Sequence, residues 1–209
     1  MVYLAVLLLL VTVIIAAIAD STVNKHFWES WNKKPYNFCF KWMGKKLWYS
    51  RSNAVVGFIY YKDGPETFVL ATERGSGAAD EQGKLCAPCG YLEWDESCEQ
   101  AIQREVEEET GAYITSDQFT LTSINSNPKD DKRQNVTFRY AVILPEDKAL
   151  AIQFNTDKSE KDEVDTIMWM NLKHVKDYEW AFNHEKLIFT VLEQYNKIQS
   201  YKEYLHTHA

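Results

Sequence analysis

The sequence predicts an α/β protein, a mixed sheet packed between helices and preceded by an N-terminal transmembrane helix. Three observations predict it. From residue 53 onward, runs rich in β-branched and aromatic residues alternate with turn signals, as sheet-forming segments do. Residues 97–110 and 183–204 carry helical signals, one stretch lying between the strands and one closing the chain. Residues 2–19 form an apolar run without a charge. Strands on either side of a central helix, followed by a last helix, call for a sheet covered on both faces.

The apolar run, VYLAVLLLLVTVIIAAIA, is about 18 residues long, enough to cross a bilayer core. Ala17-Ile18-Ala19 also fits a small-x-small cleavage site, so export by a cleaved signal peptide is the alternative; the basic n-region of such a peptide is missing. Positive charge lies downstream, at Lys25, Lys33, Lys34, Lys41, Lys45, Lys46 and Arg51. The positive-inside rule then places the globular part in the cytoplasm. Residues 1–20 are read as a membrane anchor, 21–50 as a juxtamembrane connector and 51–209 as the globular domain. In the connector, Trp28, Trp31 and Tyr36 suit the lipid headgroup level or pack against the domain.

Within the domain, NAVVGFIYY is a strand, Lys62-Asp63-Gly64-Pro65 a turn, and ETFVLATER the return strand. GSGAADEQGK is a polar loop, and a short apolar piece at 85–88 leads to Gly90. The central helix ends at Gly111, further strands follow at 119–125, 136–144 and 165–171, and Asn183 is the expected N-cap of the closing helix.

The net charge of -7 argues against a surface for long nucleic acid, which needs basic patches. It does not exclude a small nucleotide, because divalent cations neutralise phosphates locally. Cys86-Ala87-Pro88-Cys89 has the spacing of a redox or zinc pair, but no second close pair completes a zinc site. Cys39, Cys86, Cys89 and Cys98 are therefore read as reduced thiols.

Chemistry concentrates in residues 90–112, GYLEWDESCEQAIQREVEEETGA. At 100° per residue, Cys98, Ala101, Ile102 and Val106 form one apolar stripe, opposite Gln100, Gln103, Arg104 and Glu107. Glu105, Glu108 and Glu109 fall on and beside that stripe, within i+3 and i+4 reach of one another. Like charges at that spacing repel, and more strongly as water leaves. A hard divalent cation reverses the sign, because carboxylate oxygens are its preferred ligands.

The same stretch resembles the Nudix box. Gly90, Glu96, Arg104, Glu105, Glu108, Glu109 and Gly111 fill every place that demands one residue type, with Val106 and Ala112 at the tolerant ones. Chance agreement at seven such places is on the order of 10⁻⁸. The resemblance implies a Nudix-type α/β/α sandwich with a mixed sheet. It also implies hydrolysis of a phosphoanhydride in a nucleoside diphosphate linked to another moiety. Glu105, Glu108 and Glu109 match the family's metal-binding glutamates, with Mg2+ as the expected ion and Mn2+ as its substitute. Arg104 matches the arginine that orients one of them. Glu96 matches a supporting glutamate, and Gly90 and Gly111 match positions of tight backbone turns. Glu109 and Glu163 are alternative proton acceptors. Arg74 closes a strand that ends in arginine in many relatives, and Trp180-Ala181-Phe182-Asn183-His184 resembles the start of the family's last helix.

Substrate choice lies outside the box. Tyr91, Trp94, Trp169 and Trp180 are candidates for stacking on a nucleobase, and Arg74, Tyr91 and Trp94 are carried as substrate-binding candidates. His174 and His184 are read as helix-associated surface or capping residues. ADP-ribose-like compounds, dinucleotides and modified nucleotides all remain open as the small nucleotide substrate, and a homodimer is compatible with the sequence. The competing function is a membrane-tethered Nudix-fold module that senses a nucleotide without cutting it.

Overall fold

The computed structural model describes residues 38–42, 45–130, 133–157, 159 and 162–208. The proposed anchor, with Trp28, Trp31 and Tyr36 of the connector, lies outside them. Among the described residues no helix is long and apolar enough to cross a membrane. The chain divides into two units, Met1–Arg51 and Ser52–Ala209. In the first, β1 (Phe38–Trp42) and β2 (Lys45–Tyr49) pair as an antiparallel hairpin, a structure the connector reading did not anticipate.

The second unit is built on a mixed seven-stranded sheet. Its central strand, β3 (Asn53–Asp63), pairs antiparallel with β4 (Glu66–Arg74) across the expected turn, where Gly64 takes φ 54°. Two short strands follow the polar loop. β5 (Leu85–Cys86) joins β4, and β6 (Cys89–Tyr91) joins the start of β3. The central helix is α1 (Cys98–Thr110). Then come β7 (Thr120–Asn125) and β8 (Val136–Leu144), with β8 parallel to β3 and antiparallel to β7. A short α2 (Glu146–Leu150) precedes β9 (Val164–Asn171), which pairs antiparallel with β4. The chain's last element is α3 (His184–His208).

The unbroken apolar run of β3 reflects burial on both faces, as in a central strand covered by helices. Successive side chains of a strand point to opposite faces. Val55, Ile59 and Tyr61 accordingly join Ala101, Ile102 and Val106 of α1 in one core. Val56, Phe58 and Tyr60 join Ile188 and Val191 of α3 in the other. Tyr60 Oη donates to the Ile188 carbonyl at 2.7 Å, so its buried hydroxyl is satisfied. Ile102 and Ile188 are fully buried, and each contributes roughly 2–3 kcal/mol of transfer free energy.

Local signals fix the helix that carries the acids. Ser97 caps α1 by accepting from Gln100 N, and the Gln100 side chain accepts from Ser97 N at 2.8 Å, a complete capping box. Gly111 stops the helix in the left-handed region at φ 73° and donates to the Glu107 carbonyl. The start of α3 differs from expectation. Asn183 is not an extended N-cap: it takes φ 61° at the end of a 3-10 turn, Ala181–Asn183, in which Phe182 is also left-handed at φ 55°. Packing of the turn beneath the sheet overrides the capping preference, since Ala181 is buried and Trp180 bridges to Leu85.

Candidate active site

Helix α1 turns its acidic edge toward β6, so the box closes on itself. Arg104 is the centre of this closure. Its Nε and Nη2 fork onto Glu96 at 3.1 and 2.8 Å, and Nη1 donates to Glu105 and to Glu108 at 2.9 Å each. Nη2 also donates to the Tyr91 carbonyl at 3.0 Å. A guanidinium has five N–H donors. All are engaged inside the box, so Arg104 positions carboxylates and has no donor left for a substrate. Glu96 accepts in addition from Glu93 N at 2.8 Å, and the Arg104 bonds hold its carboxyl below the ordinary range.

The three helix acids sit in different surroundings. Glu109 is 3% exposed; its Oε1 accepts a long 3.4 Å bond from Cys89 N, and its Oε2 is buried without a hydrogen-bond partner. Burial pushes its pKa well up, and the neighbouring Cys86, Glu105 and Glu163 charges push it further. Glu105 is raised to about 7, first by burial; Arg104 opposes the shift, and Glu108 and Glu163 add to it. Glu108 is more open and rests on Arg104.

Gly90 has a different role from the tight turn expected of it. It lies in β6 without a positive φ, and a Cβ there would land on the Glu105 carboxylate. The residue leaves space: a side chain here would be accommodated only by displacing the Glu105 carboxylate.

Glu163, far away in sequence, comes to the same place. Its carbonyl accepts from Gly75 N at 2.7 Å, which ties its loop to the end of β4. Its side chain lines a cleft of about 610 Å³ together with Cys89, Gly90 and Tyr91. Arg74, 8% exposed, lines the same cleft; its Nε donates to the Asp80 carbonyl at 2.9 Å and its guanidinium lies 5.0 Å from the Phe182 ring centre. Trp94 is elsewhere: it is 92% exposed and lines no part of the cleft. Trp169 packs in the core edge-on to Tyr61, so it cannot stack on a base. Trp180 lines the cleft with its Nε1 donating to the Val175 carbonyl at 2.7 Å.

The NUDIX domain family matches residues 50–191. The chain belongs to the Nudix family. Comparison with curated proteins finds no match. The NUDIX domain of Shewanella oneidensis NrtR, solved in complex with ADP ribose, shares 18% identity at a TM-score of 0.58, over 84% of this chain and 97% of that one. A NUDIX hydrolase from Nitrosomonas europaea shares 21% at 0.50, over 71% and 90%. A bifunctional NMN adenylyltransferase/ADP ribose pyrophosphatase from Francisella tularensis shares 20% at 0.53, over 82% of this chain and 45% of that longer one. These likenesses show a common fold.

Nudix hydrolases generally use divalent cations, and the residues of this chain fit one. The donors are hard carboxylate oxygens, and one of them, Glu109 Oε2, is buried with nothing to bind. Among the described residues no group of three acids already converges as a cage. Arg104 holds Glu105 and Glu108 by the same oxygens a cation would use.

Residues that sequence reasoning missed line the cleft. Phe182 lies 5.3 Å from the Arg133 guanidinium as well as beside Arg74. Its segment was read only as the start of a helix, and nothing in the sequence announced its left-handed backbone. His184, expected near the surface, is 4% exposed: its Nδ1 accepts from Ala87 N at 3.0 Å, and burial lowers its pKa to about 3. It is a neutral structural acceptor. His174 is exposed beside Asp177, as read.

The Cys86 and Cys89 thiols are free and lie together, with Cys86 Sγ 3.2 Å from Thr72 Oγ1. The interaction with Cys89 lowers Cys86 to about 7 against the effect of burial.

Proposed function

We propose that the protein hydrolyses a phosphoanhydride in a nucleoside diphosphate linked to a second moiety, by attack of water at phosphorus. The observation that carries this reading is the buried Glu109 oxygen, unpartnered among the described residues, beside Glu105 and beside Glu163, which lines the cleft. Glu105, Glu108 and Glu109 would hold Mg2+, with Mn2+ as substitute. The cation would supply charge neutralisation at the diphosphate and polarisation of its P–O bonds.

The chain's own groups do the rest. Arg104 fixes the directions of Glu105 and Glu108. Glu163 takes the proton as the water oxygen bonds to one phosphorus and the anhydride P–O bond breaks, leaving a nucleoside monophosphate and the phosphorylated second moiety. Glu163 is the better acceptor than Glu109, because it is half-exposed in the cleft wall whereas Glu109 is sealed against β6. Tyr91, Trp180 and Phe182 supply apolar surface for the nucleoside.

ADP-ribose-like compounds are the first substrates to test, since one structural neighbour was solved with ADP ribose and another is described as an ADP ribose pyrophosphatase. Membrane anchorage through residues 2–19, with the domain in the cytoplasm, completes the proposal. Fractionation of cells expressing the full chain tests it: an anchored protein stays with the membranes after a high-salt wash. The activity is tested by incubating the protein with nucleoside-diphosphate compounds and Mg2+ or Mn2+, reading phosphate released after phosphatase coupling. Release from at least one compound, abolished by chelator, is expected. Silence across the set with both ions overturns the reading.

A further inference from the structure

The cleft that Glu163, Cys89 and Gly90 line also holds Arg139. Arg139 lies on β8, directly paired with Val56 of β3, and Val56 is paired on its other side with Cys89 of β6. Neighbouring strands are spaced by about 4.8 Å, so the Arg139 and Cys89 backbones stand roughly 10 Å apart across the sheet. Cys89 N touches Glu109. Directly paired residues share a face, so Arg139 projects on the side of Val56 and α3, where it lines the cleft.

Arg139 Nε is buried and, among the described residues, has no hydrogen-bond partner. Several other charges of the cleft are paired with one another. Asp80 is paired with both Arg74 and Arg133, and Glu81 with Lys84. Asp130 acts on Arg139 only through space, and its Oδ1 accepts from Asn127 Nδ2 at 2.8 Å. His184 offers no countercharge, being neutral and bonded to Ala87 N. A guanidinium with its Nε buried away from any acceptor is unfavourable for folding, and burial here works against its charge. Such a group is stabilised when an anion enters the cleft and takes its donors.

We propose that Arg139 binds a phosphate monoester on the substrate, separate from the diphosphate held at the acids, so that the preferred substrates are nucleoside diphosphates bearing an extra phosphate. The proposal rests on the hydrolase reading for its orientation: the diphosphate lies toward the box acids and the monoester at Arg139, which lines the cleft together with Glu163. Phe182, flanked by Arg74 and Arg133, lines the same cleft.

The test compares ligands that differ only in that phosphate: ADP-ribose with ADP-ribose 2′-phosphate, and ADP with adenosine 3′-phosphate 5′-diphosphate. Affinities are measured by calorimetry on the full chain with chelator present, and hydrolysis rates are measured in parallel with Mg2+. The wild type is expected to bind one phosphorylated ligand at least tenfold tighter than its partner. Arg139→Gln is expected to abolish that preference and to melt, without ligand, at the same or a higher temperature. Arg139→Lys, which keeps the charge and loses the fork, is expected to restore part of it. Equal affinities within both pairs in the wild type overturn the proposal without any variant. So does a preference that survives Arg139→Gln, or a lower melting temperature for that variant, which would mark Arg139 as structural. Preference without turnover would sink the hydrolase reading and leave the Arg139 site standing; turnover without preference does the reverse.

Discussion

Replacing Glu105 by glutamine changes a single charge, and the structure sets the size of the effect. Burial raises the Glu105 pKa to about 7, with Arg104 pulling it back and Glu108 and Glu163 adding to the rise. A carboxyl whose folded value exceeds its unfolded one keeps its proton longer in the folded chain. Metal-free stability therefore falls as pH climbs from the ordinary carboxyl value through about 7, and stays low above it. A shift from 4.5 to about 7 corresponds to roughly 3 kcal/mol. For a domain of this size that is roughly 6–12 °C of melting temperature. A neutral amide at this position has no such proton to lose. Thermal unfolding of wild type and Glu105→Gln in chelator, at about pH 5 and about pH 8.5, measures the effect. The wild type is expected to lose about 3 kcal/mol more than the variant between the two conditions, and Mg2+ is expected to return the loss to the wild type alone. A wild-type-to-variant difference that is the same at both pH values would refute the reasoning.

Three further outcomes are expected. Glu163→Gln should lower kcat by roughly 10²–10⁴-fold with little change in melting temperature, checked by steady-state kinetics on whichever compound the screen identifies. Gly90→Ala should keep its fold, because the group it meets is the movable end of Glu105, yet lose at least about tenfold in Mn2+ affinity by calorimetry as that carboxylate is displaced. Arg104→Lys replaces a guanidinium making five hydrogen bonds by an ammonium with three donors; it should cost about 1–3 kcal/mol in denaturant unfolding and reduce kcat/KM.

The legible parts of this protein were those written in local pattern. Ser97, Gln100 and Gly111 mark both ends of α1 without help from the rest of the chain. The wheel that put Glu109 on the apolar stripe anticipated its burial, because helix geometry alone decides which side chains share a face. The strands of β3 and β4 followed from β-branched runs around a glycine turn. What the sequence hid depends on distant partners. Gly90 leaves space for a carboxylate that approaches from another element, which spacing cannot distinguish from a turn. Asn183 looked like a cap, but buried Ala181 and the contact of Trp180 with Leu85 hold its segment left-handed. Trp94 and Trp169 look alike in sequence, yet one faces water and the other the core, since strand register and loop path set exposure. Arg139 occupies a β-branched, aromatic stretch in which only the parallel pairing of β8 with β3 reveals the cleft it faces.

The central claim is that α1 presents acids to a divalent cation. Titration of the metal-free protein with Mn2+, followed by calorimetry and by the paramagnetic resonance of free ion, tests it most directly. Saturable binding by the wild type, weakened at least about tenfold in Glu109→Gln and in Glu108→Gln, is the predicted result. Identical isotherms for the wild type and both variants, or no binding at all, would contradict it.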